Sequence, residues 1–226
     1  MKKILFLLMT ALMMTVVSAK AQLKETEPKP QLKVGVTAGL NISMLHMADD
    51  DYKGYVDKKR PGFLVGPTAV YTLPMCGLGV DASVFYDLRA AKSKDIKGLN
   101  TIYSTSFQLP INVRYSMNLG DMVEAFVFTG PQFGVTMGNK DQLIATGIGK
   151  TTGHALERRW IANNSSFSWN IGVGGVIEEK VQVRLSFNLA LKKTGELQQI
   201  DTFDGTSKVL TTGKAHACQI SLSYLF

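Results

Sequence analysis

The stretch Ala215–Phe226, AHACQISLSYLF, decides the fold class of this chain. Apolar residues alternate there with small polar ones up to the last position: Ile220, Leu222, Tyr224 and Phe226. Alternation with a period of two is typical of a β-strand that has one apolar and one polar face. Because chain ends are usually polar and frayed, this pattern predicts a last strand that is held along its whole length.

The same alternation recurs upstream, while helical spacing is scarce. The eight predicted strands are Lys33–Met44, Gly62–Leu73, Leu78–Arg89, Asn100–Met117, Val123–Met137, Phe167–Glu178, Val181–Leu191 and Ala215–Phe226. None of their apolar faces holds a Lys, Arg, Asp or Glu, and the charged residues of these segments lie on the other face. Since a charge facing lipid costs about 2–4 kcal/mol at mid-bilayer, this exclusion predicts that the apolar faces contact lipid.

The polar faces and the connections predict how the strands are arranged. Small polar residues suit the narrow interior of an eight-stranded barrel. Four long connections, which alternate with short turns, are Leu45–Pro61, Ala90–Leu99, Gly138–Ser166 and Lys192–Lys214. The fold class predicted is therefore all-β: a single eight-stranded antiparallel up-and-down transmembrane β-barrel with long outer loops and short periplasmic turns. The last strand would pair with the first, because an open sheet edge cannot lie in lipid.

Three prolines argue against regular ladders in these strands. Pro67, Pro110 and Pro131 fall inside predicted strands, and a closed barrel offers no free edge to accommodate them. The sequence therefore predicts β-bulges or locally broken ladders at these positions, with a different division of the third and fourth strands as the alternative.

The start of the chain is typical of a secretory signal peptide. Lys2 and Lys3 precede the apolar run Ile4–Val17, and Ala19-Lys20-Ala21 fits a cleavage site. The predicted division is residues 1–21 as signal peptide, 22–31 as a short polar segment and 32–226 as the barrel domain. The expected location is the outer membrane of a Gram-negative bacterium, and the expected assembly partners are the bilayer and the barrel insertion machinery.

Charge and cysteine content exclude other classes of protein. The formal charge of +7 includes three lysines of the predicted signal peptide, and no dense Lys/Arg cluster suggests a nucleic-acid partner. Two cysteines, Cys76 and Cys218, are too few for a disulfide-built domain. The predicted topology places them on opposite sides of the membrane.

Five stretches carry a family resemblance: VGVTAGLNIS at 34–43, FQLPINVRYSMNL at 107–119, AFVFTGPQFGV at 125–135, WNIGVGGVIE at 169–178 and ISLSYLF at 220–226. In this order they resemble the small outer-membrane β-barrels named after PorT, although Gln108 stands where relatives often have an acidic residue. The resemblance implies an eight-stranded integral barrel. It does not imply one role: the founding member assists secretion and maturation of surface proteins, and the resemblance marks no functional residue here. An accessory role in surface-protein secretion, with partners at the outer loops, is therefore one expectation.

The sequence predicts no catalytic residue, cofactor or metal site. The residues to test for rim catalysis are His46 with Asp49, Asp50 and Asp51 in the first long connection, and His154 in the third. The simpler interpretation of these residues is a solvated acidic loop and surface histidines. His216 is expected to be an interfacial residue.

Charged residues on the polar faces predict interior ion pairs. Arg114 and Glu124 flank the turn 118–121 on the same face, so they are expected to pair across that hairpin. Arg89, Arg184, Asp81 and Asp87 are expected to extend the network.

Three functions remain open from the sequence. The first is a non-enzymatic outer-membrane barrel that acts through its outer loops or assists surface-protein export. The second is a barrel enzyme with a catalytic rim. The third is a soluble periplasmic barrel, similar to a lipocalin, that binds lipid inside an apolar interior.

Overall fold

The described part of the molecule is all-β. The computed structural model describes residues 31–49, 58–73, 77–92, 102–119, 122–138, 140–148 and 155–226. It contains twelve strands: β1 (Gln31–Met47), β2 (Lys58–Thr72), β3 (Leu78–Ser83), β4 (Phe85–Lys92), β5 (Ile102–Asn118), β6 (Val123–Met137), β7 (Asp141–Ile148), β8 (Ala155–Ala162), β9 (Ser165–Ile177), β10 (Val181–Ala190), β11 (Gly195–Asp201) and β12 (Ser207–Leu225). Within these ranges, no helix is long and apolar enough to cross a membrane.

All the strands pair antiparallel in one sheet. β1 pairs with β2, and β2 pairs with both β3 and β4, which in turn both pair with β5. The path continues through β6, β9 and β10 to β12. β12 then pairs with β1 from Met47↔Gly213 to Gly35↔Leu225, so this path returns to its first strand.

In this sheet the apolar side chains are exposed and the polar side chains are buried, which is the reverse of the arrangement in a soluble protein. Large apolar side chains of alternate positions are exposed, such as Leu185 and Val173 at 51% each. The polar side chains between them are buried, including Asn41, Asp81 and Gln182 at 0%. We call these the apolar face and the polar face. The predicted alternation is confirmed. Apart from one buried apolar cluster that includes Phe126 and Phe128, the buried face is mainly polar, which is the reverse of what a soluble barrel with an apolar interior requires.

The prolines interrupt the ladders, as expected. The third predicted strand is divided at Val84 into β3 and β4, and the N–H of Val84 donates to the carbonyl of Pro67 (3.0 Å). Between β5 and β6 the ladder lacks the pairs that would follow Pro110↔Gln132, where Pro131 has no N–H to donate. The sheet therefore contains these residues at local breaks rather than at an edge.

The number of strands differs from the prediction of eight. The stretches 138–166 and 192–214, predicted as long loops, contain β7, β8, β11 and the start of β12. These form a four-stranded extension in the order β12-β11-β8-β7. Its buried cluster comprises Met47, Ile144, Trp160, Ala162 and Leu197. The prediction missed these strands because charged residues such as Glu157 and Arg158 interrupt their short apolar patterns.

The connections define two ends. At the turn end, short connections join β2 to β3, β5 to β6 and β9 to β10. At the loop end lie the four-stranded extension, the end of β1 and the end of β4. In the β9–β10 turn, Glu178 and Glu179 have φ of 50° and 59°, a left-handed conformation that matches the twist of a tight hairpin.

One contact fixes the β9–β10 turn to β1. Lys33 Nζ donates to the Glu179 carboxylate (2.9 Å), and this hydrogen bond, with the nearby positive charge, lowers the pKa of the Glu179 carboxyl. A folded-state pKa below the unfolded value means that the pair stabilises the fold above about pH 4.5 and ceases to do so as pH falls through the lowered pKa.

We expect Lys33→Ala to destabilise the protein slightly above pH 4.5, by at most about 0.5 kcal/mol for so exposed a pair. The difference from the wild type should disappear in more acidic solution, which urea unfolding at a series of pH values would measure. In a Glu179→Gln background the same substitution should have no pH-dependent effect. A difference that grew on acidification would contradict this role of the pair.

Candidate functional site

Side chains of the polar face contact strands that are not neighbours in the sheet, and we call the region where they meet the interior. Arg114 of β5 contacts Gln182 of β10, and Arg184 of β10 contacts Asp81 of β3. Such contacts across the sheet place the polar groups of opposite strands within hydrogen-bond distance. Any ligand binding or chemistry inside the sheet would therefore involve these polar groups.

The predicted pair of Arg114 with Glu124 is present near the turn end. Arg114 Nη2 donates to Glu124 Oε1 (2.6 Å), Nη1 to Gln182 Oε1 (3.0 Å) and Nε to Ser116 Oγ (3.1 Å). The guanidinium also stacks over the ring of Phe126, 4.0 Å from its centroid. Arg114 is almost fully buried, so these four contacts replace the water that it loses.

A second charged cluster lies next to the first. Arg184 Nη1 donates to Asp81 Oδ1 (3.2 Å), and Asn112 Nδ2 donates to the same oxygen (2.8 Å). The guanidinium of Arg184 lies 5.5 Å from the centroid of Phe128. The predicted involvement of Asp81 and Arg184 in an interior network is confirmed.

Asp87 and Arg89 form a separate pair closer to the loop end. Arg89 Nε donates to Asp87 Oδ2 (2.7 Å), and Asn41 Nδ2 donates to Asp87 Oδ1 (2.5 Å). The predicted charged residues thus form three ion pairs, two of them adjacent, rather than one continuous network.

A chain of amide hydrogen bonds crosses the interior between these groups. Gln132 Nε2 donates to Gln108 Oε1 (2.9 Å), and Asn170 Nδ2 donates to Gln132 Oε1 (2.8 Å). Asn188 Nδ2 continues the chain to Asn170 Oδ1 (2.6 Å), and Gln108 Nε2 ends it on Ser106 Oγ (2.7 Å). We call this row, which spans β5, β6, β9 and β10, the amide chain. All its members are buried.

We expect Gln132→Leu to lower the free energy of unfolding by about 1–3 kcal/mol. The change leaves the buried Gln108 Oε1 without its donor and the buried Asn170 Nδ2 without its acceptor. Gln198→Leu in the extension, where the side chain is half-buried, serves as the matched control and should change stability by less than about 0.5 kcal/mol. If urea unfolding showed that both substitutions lower the free energy of unfolding equally, the amide chain would not stabilise the interior.

Two cavities lie on either side of the amide chain. The loop-end cavity, about 70 Å³, is lined by Gln108 and Asn188 of the chain, by Arg89, and by Trp160 and Ala162 of the extension. The smaller cavity, about 20 Å³, is lined by Gln132, Asn170 and Arg184 among others. It is large enough for about one water molecule. The interior is thus largely filled by side chains, and its larger space lies under the extension.

The residues that the sequence proposed for rim catalysis are not brought together in the described structure. His46 lies on the apolar face, where its ring contacts the edge of His216 (centroids 5.2 Å apart). Asp49 is exposed at the end of β1, while Asp50, Asp51 and His154 lie outside the described residues. In the described ranges, no group of three or more His, Cys, Asp or Glu side chains could hold a metal ion.

Sequence reasoning missed the contacts made by Trp160 and by His216. Trp160 follows two arginines in a stretch predicted as a loop, yet it is buried and lines the loop-end cavity. His216 was expected to be interfacial, and it does lie at the edge of the apolar face. Its Nδ1 also accepts a hydrogen bond from the N–H of Ala190 (3.1 Å), which no sequence pattern signals.

One of the two cysteines lies within the described residues. Cys218 carries a free thiol on the apolar side of β12, and Cys76 lies outside the described residues.

Comparison with known proteins gives one family. The model of the outer membrane protein beta-barrel domain matches residues 9–226. No curated protein matches the chain.

Several solved outer-membrane proteins are similar to this chain. The major outer membrane protein of Thermus thermophilus is 14% identical, with a TM-score of 0.46 over 87% of this chain and 100% of that one. Ail of Yersinia pestis, in complex with the heparin analogue sucrose octasulfate, is 12% identical, with a TM-score of 0.43 over 87% and 99%. OprG of Pseudomonas aeruginosa is 12% identical, with a TM-score of 0.41 over 86% and 94%.

Proposed function

Because the chain belongs to the outer membrane protein beta-barrel domain family, we propose that it forms a closed eight-stranded barrel across the outer membrane. The barrel strands are β1, β2, β3 continued by β4, β5, β6, β9, β10 and β12. The pairing of β12 with β1 supports closure, and the exposed apolar face supports contact with lipid. In this arrangement the turn end faces the periplasm and the loop end faces outward.

We propose that the barrel does not conduct solutes. The observation that carries this proposal is the set of contacts across the interior, Arg114 to Gln182 and Arg184 to Asp81, with the amide chain above them. Eight strands leave a lumen that side chains can fill, and here they do so with paired polar groups. A function at the loop end is therefore favoured over transport along the axis.

A planar-bilayer recording tests the closed interior. The purified protein should give no stable conductance steps. The double variant Arg184→Gly, Phe128→Gly removes two interior side chains near the smaller cavity and should introduce such steps. Wild-type steps equal to those of the double variant would overturn the proposal.

For the biological role, we propose a non-enzymatic accessory of surface-protein secretion that acts through partners at the loop end. The similarity of five stretches to PorT-type barrels supports this role. So does the extension, which presents strongly exposed apolar side chains such as Phe203. The lipid bilayer is the surrounding partner of the barrel strands.

Deletion and complementation test this role. Loss of the gene should reduce the amount of protein exported to the cell surface, measured by surface labelling of intact cells. The Phe203→Ser variant should restore export less well than Leu119→Ser, which changes another strongly exposed residue at the turn end. Unchanged export in the deletion strain would refute the secretion role and leave the barrel itself untouched.

We also propose that residues 1–21 are a cleaved signal peptide, since they combine a basic start, an apolar run and a small-residue cleavage site. Sequencing of the purified outer-membrane protein should find Gln22 as its first residue. Retention of the apolar run would refute cleavage.

A further inference from the structure

The hydrogen-bonded ladder between β10 and β12 ends early. Its last pair is Asn188↔Ala217, whereas on its other edge β12 stays paired with β1 up to Gly213. The next two backbone donors use side-chain acceptors instead. Ala190 N–H donates to His216 Nδ1 (3.1 Å), and Ala215 N–H donates to Thr194 Oγ1 (2.9 Å). We call this break the side seam.

His216 closes the side seam from the apolar side. A backbone N–H can only donate, so Nδ1 must be the unprotonated nitrogen of a neutral imidazole. The ring stacks on Phe187, with centroids 6.2 Å apart and planes at 13°, and its other neighbour is the ring of His46. Two side chains that can rotate away, His216 and Thr194, therefore replace one pair of ladder hydrogen bonds.

The loop-end cavity lies directly behind the side seam. Four residues of the seam, Asn188, Ala190, Thr194 and Ala215, also line this cavity. Rotating His216 and Thr194 away would connect the cavity with the apolar face.

The residues that line the loop-end cavity include both polar and apolar side chains. Gln108 and Asn188 of the amide chain lie on one side, and Trp160 with Ala162 on the other. Ser43 also lines the cavity, and its buried Oγ has no hydrogen-bond partner. Arg89, the charged residue of the lining, is neutralised by Asp87. The cavity therefore offers polar amide and hydroxyl groups beside apolar surface, and its arginine is already paired.

We propose that the loop-end cavity is a binding chamber for a small neutral amphipathic molecule, which enters from the outer leaflet through the side seam. The ligand class is a short-chain alcohol or amide, because a cavity of about 70 Å³ suits a molecule of few heavy atoms and its lining sets polar side chains beside apolar ones. Its apolar part would lie against Trp160. This inference rests on the proposed barrel, since only in a barrel does the apolar face meet lipid.

Fluorescence of Trp160 tests binding, with bromoethanol as the probe. Trp169→Phe removes the other tryptophan, so that the signal comes from the chamber. In vesicles the probe should quench Trp160 with a saturable dependence on concentration. Ala90→Leu, which fills the chamber, should abolish saturation, whereas Ala38→Leu on the apolar face should not. Quenching that rises linearly without saturation would overturn the proposal.

A pair of disulfides tests the route of entry. Both variants start from a background in which Cys76 and Cys218 are changed to Ser. In the first, His216→Cys is combined with Leu189→Cys across the side seam. In the second, it is combined with Met44→Cys across the paired β1–β12 ladder. Met44 is the register partner of His216, and Leu189 lies opposite His216 if the β10–β12 register continues by one residue. Oxidation should abolish saturable quenching only in the Leu189 variant.

Equal quenching in the oxidised and reduced Leu189 variant would overturn entry through the side seam. Every variant is first checked for a heat-dependent shift on a gel. Loss of the shift in the wild type refutes the barrel, while a normal shift without saturable quenching refutes only the chamber.

Discussion

Leu185→Arg is expected to lower the free energy of unfolding in a bilayer by about 2–4 kcal/mol. Leu185 lies in the middle of β10 on the apolar face, between Val173 of β9 and Ile220 of β12. In a lipid-facing position the guanidinium would lose its hydration without gaining a partner, because the adjacent side chains of that face are apolar. In a water-facing position the same change would have little effect.

Urea unfolding of the protein in lipid vesicles measures the difference. Val209→Arg is the matched control, since Val209 is 49% exposed, close to the 51% of Leu185, but lies in the first part of β12, which pairs with β11 of the extension and not with β1. It should change stability by less than about 0.5 kcal/mol. Equal effects of the two substitutions would mean that the apolar face does not contact lipid.

Arg114→Leu is expected to destabilise the protein by about 3–5 kcal/mol. The guanidinium is 2% exposed and donates to Glu124, Gln182 and Ser116. Removing it leaves the Glu124 carboxylate and the buried Gln182 oxygen without their charged donor. The lost stacking on Phe126 adds to the effect.

Arg159→Leu provides the control for the loss of an arginine as such. Arg159 also forms two ion pairs, with Asp141 and Glu157, but its side chain is 35% exposed in the extension. We expect a clearly smaller loss of stability there, because solvent screens the charges of an exposed pair. Resistance to urea that fell equally in both variants, or remained unchanged in Arg114→Leu, would contradict a stabilising role of the buried pair.

Much of this architecture could be predicted from the sequence because lipid imposes a simple rule on each strand. Alternation placed Leu185, Ile220 and their equivalents on one face and Arg114 with Glu124 on the other. The hairpin geometry then predicted the ion pair, since both residues flank one short turn on the same face. The breaks at the prolines followed from their missing N–H groups.

The loop end could not be predicted in the same way. Strands in water need no uniform apolar face, so β8 combines Glu157, Arg158 and Arg159 with the buried Trp160, and its alternation is weak. The loop-end cavity and the side seam depend on contacts between residues far apart in the chain. The hydrogen bond from Ala190 N–H to His216 Nδ1, for example, joins β10 and β12 where their ladder ends. No local sequence pattern indicates that the ladder ends there.

The most direct test of a closed barrel in the outer membrane is a gel of the outer-membrane fraction from cells that produce this protein. The sample is run in denaturing detergent with and without boiling, and the protein is detected by antibody. A closed barrel resists the detergent until it is heated, so the unboiled protein should migrate faster than the boiled one. A single unshifted band, found in the soluble periplasmic fraction, would contradict both the barrel and its membrane location.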